Sequence, residues 1–199
     1  MIRLAVVGMA YLLGSIPTGY WLGKFWKGVD VRQHGSGNLG ATNVFRVLGV
    51  GPGITTLALD ILKGAAPVIG VQHFFPGDLG LAVAAGMAAI LGHMTSLFVR
   101  FRGGKGVATS AGVFAALLPV PSGIALAVFL ICLALSRMVS ASSICGALAL
   151  SLAALSLGCA PLLKYTAVAV ACLVIWTHRG NIQRILAGTE SKIGRVHGA

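Results

Sequence analysis

Seven apolar stretches, near 4–24, 53–75, 79–98, 106–118, 121–136, 143–159 and 162–177, divide this chain of 199 residues. A membrane-crossing helix takes roughly 20 apolar residues, about 17–25, and stretches of this kind read as such helices. Composition agrees: 57% of the residues are hydrophobic, mean hydropathy is +0.92 and 10% are charged. A soluble domain carries about 25% charge. The expected fold is all-α: one polytopic membrane domain over 1–199, with a disordered tail at 195–199. Arg3 and the apolar run behind it lack a small-residue cleavage site, so the first stretch reads as a retained span rather than a signal peptide.

The span count turns on Pro119 and Pro121, which interrupt the run from 106 to 136. One kinked helix there gives six spans, and a turn gives seven. The run exceeds what one span requires, and the residue before a proline disfavours helix. We expect a turn after a short fourth helix.

Charge placement tests that count. Fifteen lysines and arginines stand against four acids, a net +11. With seven spans, all of the 15 except Arg3, Lys63 and Lys164 fall in or beside 25–52, 99–105, 137–142 and 178–199, on one side of the membrane. Six spans would scatter them over both faces. The positive-inside rule then places the N-terminus outside, and the C-terminus and the basic connections in the cytoplasm. Bases so placed suit membrane lipid headgroups and anionic substrates rather than nucleic acid. Cys132, Cys145, Cys159 and Cys172 show no CxxC spacing and read as small core residues.

Four polar clusters lie on that basic side. The first, His34 to Asn43, offers Ser36, Asn38, Thr42 and Asn43 among Gly35, Gly37 and Gly40, with Arg32 and Arg46 flanking. Glycine-rich backbone can turn its N–H groups toward an anion, and the arginines add charge. A solvated re-entrant loop is the plain alternative. The second, Gly103-Gly104-Lys105-Gly106, opens a helix whose N-terminus favours an anion. It is no nucleotide P-loop: Phe98 and Val99 precede it, and glycine rather than Ser or Thr follows Lys105. A positive-inside anchor with a glycine turn is the alternative there.

In the third cluster, Arg137 to Ser143, the serine at 143 reads as N-cap-like, and capping alone would explain it. The fourth holds His178 and Asn181, which share a face if the helix continues, followed by Gly188-Thr-Glu190. Asp60 and Lys63, inside the second span at i, i+3, form either a structural ion pair or a functional site. Asp30, Asp60, Asp78 and Glu190 are the only acids, too few for a multi-carboxylate metal site, and no G-x-S-x-G elbow occurs. Neither a metal nor a cofactor is expected. The inventory suits phosphate binding and is poor in general bases.

These segments resemble the bacterial acyl-phosphate-dependent glycerol-3-phosphate acyltransferases. The match runs through Gly14-Ser-Ile-Pro-Thr-Gly-Tyr-Trp-Leu-Gly23, Asp30 to Asn43 with Arg46, Asp60-Ile-Leu-Lys-Gly64 and Gly92-His93. It continues through Phe98 to Thr109, Arg137-x-x-Ser140-x-x-Ser143, His178 to Arg184 and Gly188-Thr-Glu190, in order over about 11–192. The resemblance implies a seven-span enzyme of the bacterial inner membrane with its motifs facing the cytoplasm. It implies acyl transfer from acyl phosphate to the sn-1 hydroxyl of glycerol 3-phosphate, giving lysophosphatidic acid and inorganic phosphate.

On that footing Arg46, Lys105 and the amides of Gly103 and Gly104, beside Gly106, are expected to hold glycerol 3-phosphate. Ser143, His178 and Asn181 would orient it. Ser36, Asn38, Gly40, Thr42 and Asn43 would hold the acyl-phosphate head, with its chain between helices. Either His178 or a substrate phosphate takes the hydroxyl proton, and the shortage of protein bases favours the phosphate. A transporter for a phosphorylated metabolite is the rival reading. It fits less well, because polar groups are confined to one face.

Overall fold

Pro17 breaks the first apolar stretch. It has no N–H to donate and pushes Ile16 out of helical geometry, so α1 (Ile2–Ser15) and α2 (Thr18–Lys27) meet at a 43° bend. The structure, a computed structural model, describes residues 1–194; the tail expected at 195–199 lies outside them. The described residues are helical, with no strand among them. They fall into two units, Met1–Leu117 and the residues from Leu118 onward.

The first unit continues with α3 (Ala41–Leu48), α4 (Val50–Phe74), α5 (Leu79–Met94) and α6 (Val107–Leu117). Helix α1 packs on α5, and α4 packs on both α5 and α6. Glycines make these approaches close. A Cβ on Gly14 would run into the Ala89 backbone of α5, and one on Gly92 into the Tyr11 carbonyl of α1. Gly64 and Gly112 do the same between α4 and α6, against Thr109 and Ile61. In lipid there is little hydrophobic drive between helices, so such backbone-to-backbone contact supplies the dispersion energy that holds them together.

The second unit holds α7 (Pro119–Ser136), α8 (Val139–Ser156), α9 (Pro161–Thr177) and α10 (Arg179–Leu186). The chain leaves helix at Leu118 and re-enters at Pro119, so a helix break falls at the prolines and α6 has 11 residues. Within this unit α8 lies between α7 and α9, and Ser151 Oγ donates to the Ala167 carbonyl, 3.0 Å, across the α8–α9 contact. Of the residues of α7 only Pro121 is buried, and large apolar side chains such as Leu130, Leu135, Leu152 and Tyr165 face outward. An outside this apolar is what lipid requires.

Among the described residues four helical segments are long and apolar enough to cross a membrane, or up to six if the bent α1–α2 and α9–α10 pairs each make one span. Two expectations need correcting. The connection 25–52 is not all loop: α3 carries Thr42, Asn43 and Arg46. The α9–α10 pair bends by 59° at His178, so His178 and Asn181 do not share one continuous helix face.

Candidate active site

The first polar segment is a built structure. Beyond α2 the chain turns at Gly28 (φ +68°) into a short 3-10 turn, Val31–Gln33, that Asp30 opens by accepting from Arg32 N at 3.0 Å. The same carboxylate pairs with the Arg32 guanidinium, Nη2 to Oδ2 at 2.6 Å, and the guanidinium lies 4.5 Å over the Tyr20 ring. That hydrogen-bonded guanidinium holds the Asp30 carboxyl down at about 2 against a partly opposing desolvation. Val31, Leu39, Val44 and Val99 form a buried apolar cluster beneath the segment.

Asn43 is its internal brace. Buried on the first turn of α3, it accepts from Ser36 N at 2.7 Å and donates through Nδ2 to the Val31 and His34 carbonyls, at 2.8 and 3.1 Å. Gly35 stands at φ +61° with the Asn43 amide where its side chain would be. Asn38 Oδ1 accepts from Gly40 N at 2.8 Å, just ahead of α3. Ser36 and Arg46 are exposed and Thr42 is half-buried.

The second segment returns the chain onto the end of α5. Arg100 and Phe101 both adopt left-handed backbone, at φ 56° and 61°. Gly103 N–H then donates to the Met94 carbonyl and Gly104 N–H to the His93 carbonyl, both at 3.0 Å. The sequence suggested these two amides as phosphate donors; in this structure both are engaged in capping α5. What the glycines contribute is the absence of a side chain, since a Cβ on Gly103 would meet the His93 carbonyl and one on Gly104 the His93 imidazole. Gly106, at φ +79°, swings the chain into α6, and the first-turn N–H groups of a helix favour an anion. Lys105 is half-buried between them.

Beside these segments, still within the first unit, an open apolar groove of about 660 Å³ runs between the α1–α2 bend and α4. Leu13, Trp21, Leu22, Phe25, Leu59 and Leu62 line it, and Thr18 and Lys63 lie at its wall. Thr18 and Lys63 also line a small neighbouring pocket, about 10 Å³, that Leu39 of the first segment and Gly104 of the second help to close. Asp60 and Lys63 form a buried ion pair at 2.8 Å.

In the second unit the organising group is Glu190. Its Oε1 accepts from Ser140 Oγ at 2.7 Å and from Asn181 Nδ2 at 2.6 Å, and its Oε2 from Arg184 Nε at 2.7 Å. Burial works against its charge, but these hydrogen bonds outweigh it and hold the carboxyl below the ordinary carboxylate value. Sequence reasoning named Glu190 without giving it a role; an acid among only four, four residues after α10 ends, was the available signal. Ser143 is not an N-cap. It sits a turn inside α8, buried, and its Oγ donates to the Val139 carbonyl at 2.8 Å. Buried His178 has Nδ1 2.8 Å from the Val174 carbonyl. A carbonyl can only accept, so Nδ1 carries the proton and the neutral ring has its lone pair on Nε2.

One spacing escaped the sequence reading. His73 and Asp78 stand at His-x4-Asp spacing, the pattern of an acid–base dyad. The structure gives Asp78 other work: it caps α5 by accepting from Leu81 N at 3.0 Å and pairs with Arg3 at 2.9 Å. His73 is exposed and packs edge-on against Phe74. Among the described residues no three of His, Cys, Asp and Glu converge as a metal-ligand set.

Comparison with known proteins places this geometry. A family model described as glycerol-3-phosphate acyltransferase matches residues 4–188. The chain is 49% identical to a glycerol-3-phosphate acyltransferase of Halalkalibacterium halodurans, over 96% of this chain and 95% of that protein. It is 44% identical to one from Shouchella clausii, over 98% and 97%. Its fold superposes on the crystal structure of an integral membrane glycerol 3-phosphate acyltransferase in its glycerol 3-phosphate form. There the TM-score is 0.93 at 40% identity, over 98% of this chain and 96% of that one. The lysophosphatidic acid form gives a TM-score of 0.90 at 39% identity, over the same shares.

Proposed function

The chain belongs to the glycerol-3-phosphate acyltransferase family of integral membrane enzymes, and we propose that acyl phosphate is its donor and the sn-1 hydroxyl its acceptor. One observation carries the reading. Within the first unit, the apolar groove and the small pocket closed by Leu39 and Gly104 share Thr18 and Lys63 in their walls. An amphiphile with a long chain and a phosphate head fits that juxtaposition: chain in the groove, head at the polar segments.

The chemistry asks little of the protein beyond position and charge. The acceptor oxygen attacks the acyl carbon, the bond from that carbon to the bridging oxygen breaks, and phosphate leaves with the electron pair. An acyl phosphate already has a good leaving group, so no covalent enzyme intermediate is needed. The barrier falls through alignment and through charge stabilisation on oxygen. Arg46, Lys105 and the N-terminus of α6 supply positive potential for phosphate. Ser36, Asn38, Gly40 and Thr42 offer donors for the acyl-phosphate head, and Asn43 holds that segment in shape. Gly103, Gly104 and Gly106 shape the second turn. Ser143, His178 and Asn181 supply hydrogen-bonding groups for the acceptor.

The acceptor proton passes to a substrate phosphate oxygen, with His178 as an orienting group. A general base contributes about 10²–10⁴-fold. His178→Gln should therefore lose only about tenfold in kcat with weaker substrate affinity, whereas a loss of about a thousandfold or more would make His178 the base.

We place the active site and the C-terminus in the cytoplasm of a bacterial inner membrane and the N-terminus outside, with α6 as a short seventh crossing. The basic connections support this orientation. The Arg3–Asp78 pair puts the starts of α1 and α5 on one side, as that topology requires whichever way it is oriented. The donor assignment is tested by offering purified protein palmitoyl phosphate, palmitoyl-CoA and palmitoyl–acyl carrier protein with labelled glycerol 3-phosphate. Product from the phosphate alone is expected; equal product from either thioester would refute it.

A further inference from the structure

We propose that Asp60, Lys63 and His93 form a positioning element that fixes the Gly103–Gly106 turn, and Lys105 on it, for glycerol 3-phosphate. This inference rests on the acyltransferase reading above and adds residues to it.

All three side chains are buried in the first unit. Pro17 breaks α1 from α2 and leaves the Ile16 carbonyl inside the bundle, where Lys63 Nζ donates to it at 2.7 Å. Lys63 also pairs with Asp60 Oδ1 at 2.8 Å, and Thr18 Oγ1 donates to the same oxygen at 3.1 Å. The cluster thus pins the start of α2. That helix in turn seats the first polar segment, because a Cβ on Gly19 would run into the Leu39 carbonyl.

His93 connects the cluster to the second segment. Its Nδ1 faces Asp60 Oδ1 at 3.8 Å and, buried, has no hydrogen-bond partner among the described residues. The Nε2 side of the ring lies against Gly104, while the His93 carbonyl accepts the Gly104 N–H. Ring and main chain of one residue therefore grip the turn, and Asp60 backs the ring. The pocket among these groups has room for about one water and no substrate, so the cluster holds other parts rather than binding a ligand.

Apolar residues would pack a helix junction inside a bilayer without the desolvation penalty of an ion pair. This pair sits where the α1–α2 break, the first segment and the second turn converge, which gives it a use beyond packing.

The test measures glycerol 3-phosphate affinity in His93→Gln, His93→Ala, Gly104→Ala and the His93→Ala/Gly104→Ala double variant. Affinity is read as KM and, independently of turnover, as calorimetric Kd. His93→Gln keeps most of the volume. It is expected to raise KM and Kd for glycerol 3-phosphate about tenfold, while kcat, the KM for palmitoyl phosphate and the unfolding midpoint change little. Gly104→Ala alone should weaken binding at least as much. In the double variant the new methyl enters the space the imidazole vacates, so the two losses should not multiply, and affinity should stay within about threefold of His93→Ala alone.

Asp60→Asn/Lys63→Met, which removes both charges together, should shift glycerol 3-phosphate affinity in the same direction. Wild-type affinity in His93→Gln, multiplying losses in the double variant, or equal weakening for both substrates would each overturn the proposal. If wild-type protein bound glycerol 3-phosphate but made no lysophosphatidic acid, the reaction reading would fail, and the Kd series would still decide the role of His93.

Discussion

Asn43 spends its whole amide on three main-chain groups of the first polar segment. The expected result of Asn43→Ala is a lower unfolding midpoint, by the roughly 1–3 kcal/mol that accompanies each buried group left unsatisfied, together with loss of activity. Glu190 has the same standing in the second unit. Glu190→Gln puts a donor opposite Arg184 Nε and should destabilise by about 1.5–3 kcal/mol, the range for hydrogen bonds to charged groups.

The pH dependence of that contribution has a definite sign. The folded carboxyl of Glu190 lies below its unfolded value, so its stabilisation is present above the ordinary carboxylate range and is lost as pH falls through the lower folded value. Wild-type unfolding midpoints should drop as pH falls below about 4.5, and the Glu190→Gln variant should lack that component. Asp30, held at about 2, would fade only in more acid solution. At this scale the sequence showed which residues were out of place in an apolar chain. It did not show that Asn43 and Glu190 bind the protein's own backbone and side chains. Partners six to 50 residues away in the chain leave no local pattern.

The helices carry their own test. Gly64 and Gly70 lie on α4, but only Gly64 has a neighbour's backbone, that of Thr109, where its side chain would be. Gly64→Val should separate α4 from α6 and lower the unfolding midpoint sharply. Gly70→Ala, with nothing within 4 Å of the new methyl, should be neutral or stabilise by up to about 1 kcal/mol, because alanine favours helix. A midpoint unchanged by Gly64→Val would contradict the close α4–α6 contact.

Most element positions were legible because bilayer thickness sets a length and proline sets breaks. The expected 53–75, 121–136 and 162–177 became 50–74, 119–136 and 161–177. The missed features were local exceptions to that rule. Pro17 lies within a stretch whose hydropathy hides it. Helix α3 has two turns and polar residues on its exposed side, so length and hydropathy both pass over it. The commitment of the Gly103 and Gly104 amides to α5 depends on the left-handed turn at Arg100 and Phe101, residue types that do not announce such a backbone.

Across the whole molecule the informative quantity is asymmetry. A chain with net charge +11 and only four acids keeps twelve of its 15 lysines and arginines in or beside four connections between apolar stretches, which the proposed seven-span topology would put on one side. That distribution orients a polytopic protein and also makes one face attractive to phosphate. Family membership was legible because several polar motifs recur in order through apolar sequence, a coincidence that membrane packing alone does not demand. Which groups bind substrate was less legible, since a motif marks a residue as needed without separating ligands from braces.

The central claim is tested most directly with purified protein in detergent, palmitoyl phosphate and glycerol 3-phosphate, following inorganic phosphate and lysophosphatidic acid together. The account predicts phosphate release that depends on glycerol 3-phosphate, matches lysophosphatidic acid mole for mole and is lost in Lys105→Ala. Folded protein that released no phosphate across donors of several chain lengths, or released it without the lipid product, would contradict it.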